Sequence, residues 1–299
     1  MPRVVVNDVS LNVTLLDQQG DAPRQDLVFC HGLASSMGFW PIELLTALRT
    51  HFRIVMFDQR GHGRSQVSAS GYSPKDLGGD LLALITALDL QRPHLVAHSF
   101  GGVAALAMLA DHPEAANSLI LLDSQIGMGR DAAAATDPSA KDAELISALA
   151  DIGVTFDPAD PFAGLHLITG LAQRRLSGQS MESEDARVQF LVRSVQSAKA
   201  KRWMSLVQET SAITEMTSPD GLSPARLAEI GIPVLSLCGG YSAAQQSGKL
   251  LSTILPRCKT DVISDAGHFF VATRSEDVAA RCLAFYQQLG FASPEVMAC

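Results

Sequence analysis

The sequence predicts an α/β fold, a doubly wound and mostly parallel sheet interrupted by a helical insertion. Three observations carry this. Short apolar runs recur without polar alternation, as expected for strands covered on both faces. Helical spacing fills most of the gaps between them, which is the rhythm of repeated βαβ units. That rhythm stops near Gln125 and resumes only after Leu222.

Taken in order, Val4 to Val6 and Leu11 to Leu16 are two strand candidates, with Asn7 and Asp8 between them as a hairpin turn. Leu27 to Cys30 and Ile54 to Phe57 are buried strands, and Ile42 to Leu48 between them has helical spacing. A helix over about Pro74 to Leu88, a strand His94 to Ala97, a helix Gly101 to Leu109 and a strand Leu119 to Leu122 follow. From about Gln125 to Leu222 only helical patterns and Ala-, Ser- and Asp-rich loops occur; Gly129 to Lys141 and Ser177 to Asp185 read as loose segments. The βα rhythm then returns with strand Ile232 to Cys238, helix Ala243 to Leu255, strand Thr260 to Ile263 and helix Glu276 to Leu289. Residues 1–124 and 223–299 thus form the expected core, and 125–222 a helical cap or lid insertion.

The 299 residues are long enough for one large α/β domain or two ordinary ones. At 47% hydrophobic and 18% charged the chain is too apolar to be disordered. A formal charge of −8 argues against nucleic acid or an anionic membrane as partner. Five scattered cysteines, with no C-x-x-C spacing, suggest neither a disulfide framework nor a thiolate zinc site. With no signal-like N-terminal run and no apolar stretch near the roughly 18 residues of a membrane helix, the expected location is cytoplasmic.

The densest chemical signal is Val96-Ala97-His98-Ser99-Phe100-Gly101-Gly102, between a buried strand and an Ala-rich helix. A nucleophile elbow, G-x-S-x-G, needs small residues on both sides because backbone approaches backbone at a sharp strand-to-helix turn. Ala97 replaces the first glycine here, and alanine is the smallest alternative. Val28-Phe29-Cys30-His31-Gly32-Leu33 ends a strand where an oxyanion donor would sit, and Gly267-His268-Phe269 falls between the last strand and the last helix. The chain order, Ser99 before His268, matches that motif. On these residues the chain resembles the α/β-hydrolase superfamily over about 1–124 and 223–290.

Asp58-Gln59-Arg60-Gly61-His62-Gly63-Arg64-Ser65 also resembles the superfamily's loop after its fourth strand. A dinucleotide fingerprint would need a third glycine at position 66, which is Gln66. No cofactor is expected.

The triad acid departs from the common pattern. Many members of the superfamily carry it in a G-x-x-D loop after the strand that here is Pro233 to Cys238, but this chain reads Gly239-Gly240-Tyr241-Ser242, with no carboxylate between Glu229 and Asp261. Others place it at the end of the preceding core strand, where Leu119-Ile120-Leu121-Leu122-Asp123-Ser124 supplies one. That run is similar to the corresponding segment of type I thioesterases, which implies Asp123 as the acid. The alternative is an Asp123 that only caps the strand end, leaving a Ser–His dyad or an inactive site. Asp265, closer in sequence, is expected to point elsewhere.

The resemblance implies Ser99 as nucleophile, His268 as general base, Asp123 as its orienting acid, and the backbone N–H groups of Leu33 and Phe100 as oxyanion hole. His51, His62, His94, His98, His112 and His166 have no metal-ligand spacing and read as structural or solvated, so no metal site is expected. Phe39, Trp40 and Phe269 are candidates for the wall of an acyl pocket, or for core.

Between Arg174 and Arg202 seven basic residues face three acidic ones, a local excess of four positive charges. This could meet coenzyme A phosphates or an acyl carrier protein, or be a solvated helix face. The expected function is a serine hydrolase of a hydrophobic acyl ester or thioester, leaning to the thioester, with a small acyl substrate as partner. The alternatives are a carbon–carbon bond hydrolase or lyase on the same site, and a catalytically weak ligand-binding protein. The oligomeric state is not legible.

Overall fold

The computed structural model describes residues 3–19, 23–134 and 140–292. Its eight-stranded sheet runs β1-β2-β4-β3-β5-β6-β7-β8 in space. In chain order the elements before the insertion are β1 (Arg3–Val6), β2 (Val9–Leu16), β3 (Asp26–Cys30), α1 (Ile42–Arg49), β4 (Arg53–Phe57), α2 (Pro74–Ala87), β5 (His94–His98), α3 (Phe100–Asp111) and β6 (Ser118–Leu122). Only β1 and β2 pair antiparallel, β1 with β2 and β2 with β4; every other pairing is parallel.

Helices follow: α4 (Gly127–Ala134), α5 (Ala140–Asp151), α6 (Ala163–Leu176), α7 (Ala186–Ser194), α8 (Ser197–Glu209), α9 (Ala212–Met216) and α10 (Pro224–Ala228). The sheet resumes with β7 (Val234–Gly239), α11 (Ala244–Ile254) and β8 (Cys258–Ile263), and the chain closes with α12 (Phe270–Thr273) and α13 (Ser275–Gln288). Between β6 and β7 the described residues contain no strand.

The unalternating apolar runs have a simple cause. On one face of the sheet Leu27, Phe29, Ile54, Met56, Val96, Ile120 and Leu235 pack with Leu44 and Leu48 of α1 and Phe285 of α13. On the other, Val28, Val55, Leu95, Ala97, Leu119 and Leu121 pack with α2 and α3. Both faces are covered, so neither can be polar. Helix α3 is buried from Phe100 to Leu109, which explains its small residues. A side chain at Gly78 of α2 would meet the Ala104 carbonyl oxygen of α3 at 2.7 Å, so the two helices cross almost backbone on backbone.

One expectation is corrected. Of the loose segment Gly129 to Lys141, residues up to Ala134 belong to α4, and those from Ala140 to α5; positions 135–139 lie outside the described residues. The alanine run that suggested looseness is also the best helix former. Ser177 to Asp185 is irregular, as expected.

The insertion is tied to the sheet domain by polar contacts. Arg202 Nε donates to the Gly61 carbonyl at 2.9 Å, and its guanidinium also reaches the Ser65 carbonyl. Glu215 Oε2 accepts from the Gly71 and Tyr72 N–H groups at 2.8 and 2.5 Å.

Candidate active site

Ser99 sits between β5 and α3 with φ 55° and ψ −125°, a region that L-residues avoid and that is held only when the surroundings over-determine it. Its N–H donates to the Leu122 carbonyl at 2.9 Å, pinning the turn to β6. The small neighbours are steric necessities. A Cβ at Gly101 would lie 2.5 and 2.6 Å from the His31 and Cys30 carbonyl oxygens, and one at Gly102 would overlap the Ser124 hydroxyl. Ala97, where the motif has glycine, is fully buried in β5 beside Cys30 and Leu121, and the core accommodates its methyl group.

Asp123 is the first residue after β6, with φ 53°. Its carboxylate is buried and accepts three hydrogen bonds: His268 Nδ1 at 2.6 Å, Gly239 N at 2.8 Å and Ser242 Oγ at 2.5 Å. Burial pushes its pKa up, but the His268 hydrogen bond and charge, with the Gly239 and Ser242 donors, outweigh this and hold it below the ordinary carboxylate value. His268 comes from the turn between β8 and α12, and its side chain is 40% exposed.

The remaining sequence candidates separate cleanly. A Cβ at Gly32 would stand 2.9 Å from Ser99 Cβ, so the Gly32-Leu33 backbone runs against the serine, with Phe100 directly following it. Asp265 does point elsewhere, to the Tyr241 hydroxyl. Phe39 stacks on His98 at 4.5 Å, and Phe269 lies 5.7 Å from Phe190 of α7, bridging sheet domain and insertion. Trp40 is core: it is 5% exposed and packs edge-on to Phe29.

Two neighbours escaped the sequence reading. Ser242 was legible only as the residue standing where a carboxylate is commonly found. His98 was set among the structural histidines, yet its Nε2 lies 3.2 Å from the His268 carbonyl oxygen and the two rings are 4.8 Å apart. Three members of the expected basic cluster are tied into the insertion itself. Arg175 donates to the Val192 and Val195 carbonyls, Arg174 to that of Ser180, and Arg187 pairs with Asp185. Among the described residues no group of three His, Cys, Asp or Glu side chains is placed to hold a metal ion, and no helix is long and apolar enough to cross a membrane.

A parallel sheet with a strained serine at the strand-to-helix turn after β5, and an Asp–His hydrogen bond between the ends of β6 and β8, has the architecture of the α/β-hydrolase class. The α/β-hydrolase fold model matches residues 27–274, and the chain belongs to that family. A protein named as a carbamate hydrolase, RutD, of Pantoea ananatis is 38% identical over 106 residues, 35% of this chain. The match spans only 38% of that relative's length. Among solved structures, an enol-lactonase from Burkholderia xenovorans is 21% identical with a TM-score of 0.62, covering 96% of this chain and all of its own. A meta-cleavage product hydrolase from Pseudomonas fluorescens is 16% identical with a TM-score of 0.64, covering 97% and 98%. Both share the fold.

Proposed function

We propose that this hydrolase is a serine enzyme cleaving an ester or thioester of a hydrophobic acyl group through an acyl-Ser99 intermediate. The observation that carries the reading is the 2.6 Å hydrogen bond between His268 Nδ1 and the buried Asp123 carboxylate, with Ser99 in strained backbone geometry directly after His98, whose ring lies 4.8 Å from that of His268. A carboxylate on Nδ1 fixes the tautomer and leaves Nε2 as the base. Residues 125–222 act as a cap over the site, and their apolar side chains select the acyl group.

The Ser99 hydroxyl oxygen attacks the carbonyl carbon while its proton passes to His268 Nε2. The carbonyl electron pair moves onto oxygen, where the N–H groups of Leu33 and Phe100 stabilise it. Collapse of the tetrahedral intermediate expels the leaving group, which takes the proton from His268. Water then enters by the same steps in reverse order and releases the acid. Asp123 stays ionised throughout and stabilises the imidazolium.

The thioester preference rests on the acid at the end of β6 and on the basic insertion, with acyl-coenzyme A or an acyl carrier protein as donor. A second reading, cleavage of a carbamate, is favoured by the name of the Pantoea relative and uses the same carbonyl chemistry.

Intact-mass labelling with a fluorophosphonate tests the mechanism. Wild-type protein is expected to gain one adduct, mapped to Ser99 and absent from Ser99→Ala. Labelling elsewhere, or none, overturns it. Matched thioester, ester and carbamate substrates then rank the leaving groups, and equal kcat/KM for ester and thioester removes the thioester preference.

A further inference from the structure

A cavity of about 470 Å³ lies on the seam between the sheet domain and the insertion, and its lining does not include Ser99, Asp123 or His268. One wall is the segment from Ala34, the residue after Leu33; a second is the turn Gly61 to Arg64; the third is α8, including Lys199, Arg202 and Trp203. We infer that this cavity is a subsite for the anionic end of the substrate, a carboxylate or phosphate carried on an apolar chain. The inference rests on the hydrolase reading and adds to it where the far end of the substrate is held.

The charges decide the sign. Arg64, Lys199 and Arg202 all line the cavity, and among the described residues no acidic side chain forms an ion pair with any of them. Arg202 spends its donors on the Gly61 and Ser65 carbonyls, which leave its charge uncompensated. The cavity's carboxylate, Asp58, is already occupied by N–H groups: Asn12 Nδ2 at 2.8 Å, Met37 N at 2.7 Å and Arg64 N at 2.8 Å. Three cations against one carboxylate leave the site positive by two, in a chain whose formal charge is −8.

A second observation comes from His62, which also lines the cavity and is 3% exposed. Its Nδ1 is 2.8 Å from the Arg60 carbonyl oxygen and donates to it, so Nε2 is an acceptor, buried and without a partner. Buried polar atoms are normally satisfied. Trp203, Leu206 and Met37 give the same cavity its apolar surface, and its size lies in the roughly 300–1,000 Å³ range of small-molecule sites.

The test has a binding arm and a kinetic arm. Calorimetric titration of the full chain with glutarate and with inorganic phosphate is expected to show saturable binding of at least one anion. Lys199→Glu combined with Arg64→Glu, both on exposed side chains, should weaken it about tenfold or more. Lys199→Arg should retain it. The anion that binds more tightly identifies the group. In the kinetic arm, the ratio of kcat/KM for the p-nitrophenyl monoester of glutarate to that for p-nitrophenyl pentanoate should fall about tenfold in the double variant. Binding of neither anion, or equal binding and an unchanged ratio in the double variant, overturns the subsite. If Ser99-dependent turnover of the neutral ester persists in that case, the hydrolase reading stands alone. If anions bind but neither ester turns over, the hydrolase reading fails and the subsite remains.

Discussion

Ser242 Oγ donates a 2.5 Å hydrogen bond to Asp123 Oδ2, the same oxygen that receives the His268 imidazole. The hydroxyl that stands where a G-x-x-D loop would carry a carboxylate thus hydrogen-bonds the carboxylate at the end of β6. A hydrogen bond to a charged group is worth roughly 1.5–3 kcal/mol. Ser242→Ala should therefore raise the Asp123 pKa toward its ordinary value and lower kcat/KM about tenfold, leaving KM little changed. Steady-state kinetics at neutral pH would check it, and an unaltered kcat/KM would remove Ser242 from the site.

Asp123→Asn is expected to keep the fold but lower kcat by about 10⁴-fold, because an amide N–H facing Nδ1 imposes the wrong imidazole tautomer. Adding Ser242→Asp to that variant returns a carboxylate to the neighbouring position. Recovery of a tenth or more of the lost rate would show that β6 and the β7 loop are interchangeable supports for the acid; no recovery would mean that the loop cannot aim its side chain at His268.

The sheet and the nucleophile turn were legible because each has a local cause. Buried strands must be apolar on both faces, and the approach of Gly101 to the Cys30 and His31 carbonyls admits no side chain. Asp123 was legible through the resemblance of Leu119 to Ser124 to a thioesterase segment, once the stretch between Glu229 and Asp261 offered no carboxylate. What stayed hidden depends on distant parts of the chain meeting. His98 and His268 are 170 residues apart, and nothing local reports their contact. The cavity is built from three such segments, and only α8 carried a charge signal. Arg174 and Arg175 donate to carbonyls 6 to 20 residues away, which their local sequence does not report either.

The buried histidines are expected to make the protein acid-labile. Burial pushes His62 down to about 3, helped by the charges of His31 and Arg202; burial alone takes His94 to about 4, and burial with the charge of His268 takes His98 to about 3. Below about pH 6.5 the unfolded chain binds protons at these sites while the native chain does not. Stability should therefore fall on acidification through the window from about 6.5 to 4, by about 1.4 kcal/mol per pH unit for each group. Asp123 adds nothing in that window: its pKa is depressed, so its contribution is complete above the ordinary 3.8 and is lost only at lower pH. Thermal melts at half-unit intervals would check the slope. His94→Gln should flatten it by about one proton, and a flat wild-type curve would contradict neutral buried imidazoles.

On the proposed mechanism, His98 is expected to act on the reaction through the loop that carries His268. Its Nε2 donates to the His268 carbonyl, and its ring contacts both Phe39 and the His268 imidazole, so it would fix where the proposed base stands. His98→Phe preserves burial and stacking but removes the N–H donor. A misplaced base costs rate more than substrate affinity. The expected result is a kcat reduced about tenfold with KM within about twofold, and slower fluorophosphonate labelling of Ser99 by a similar factor. His98→Gln, whose amide can reach the same carbonyl, should recover part of both rates. If phenylalanine is silent in kcat and in labelling, the hydrogen bond is incidental and the stack alone positions the loop; if KM rises while kcat holds, His98 faces the substrate instead.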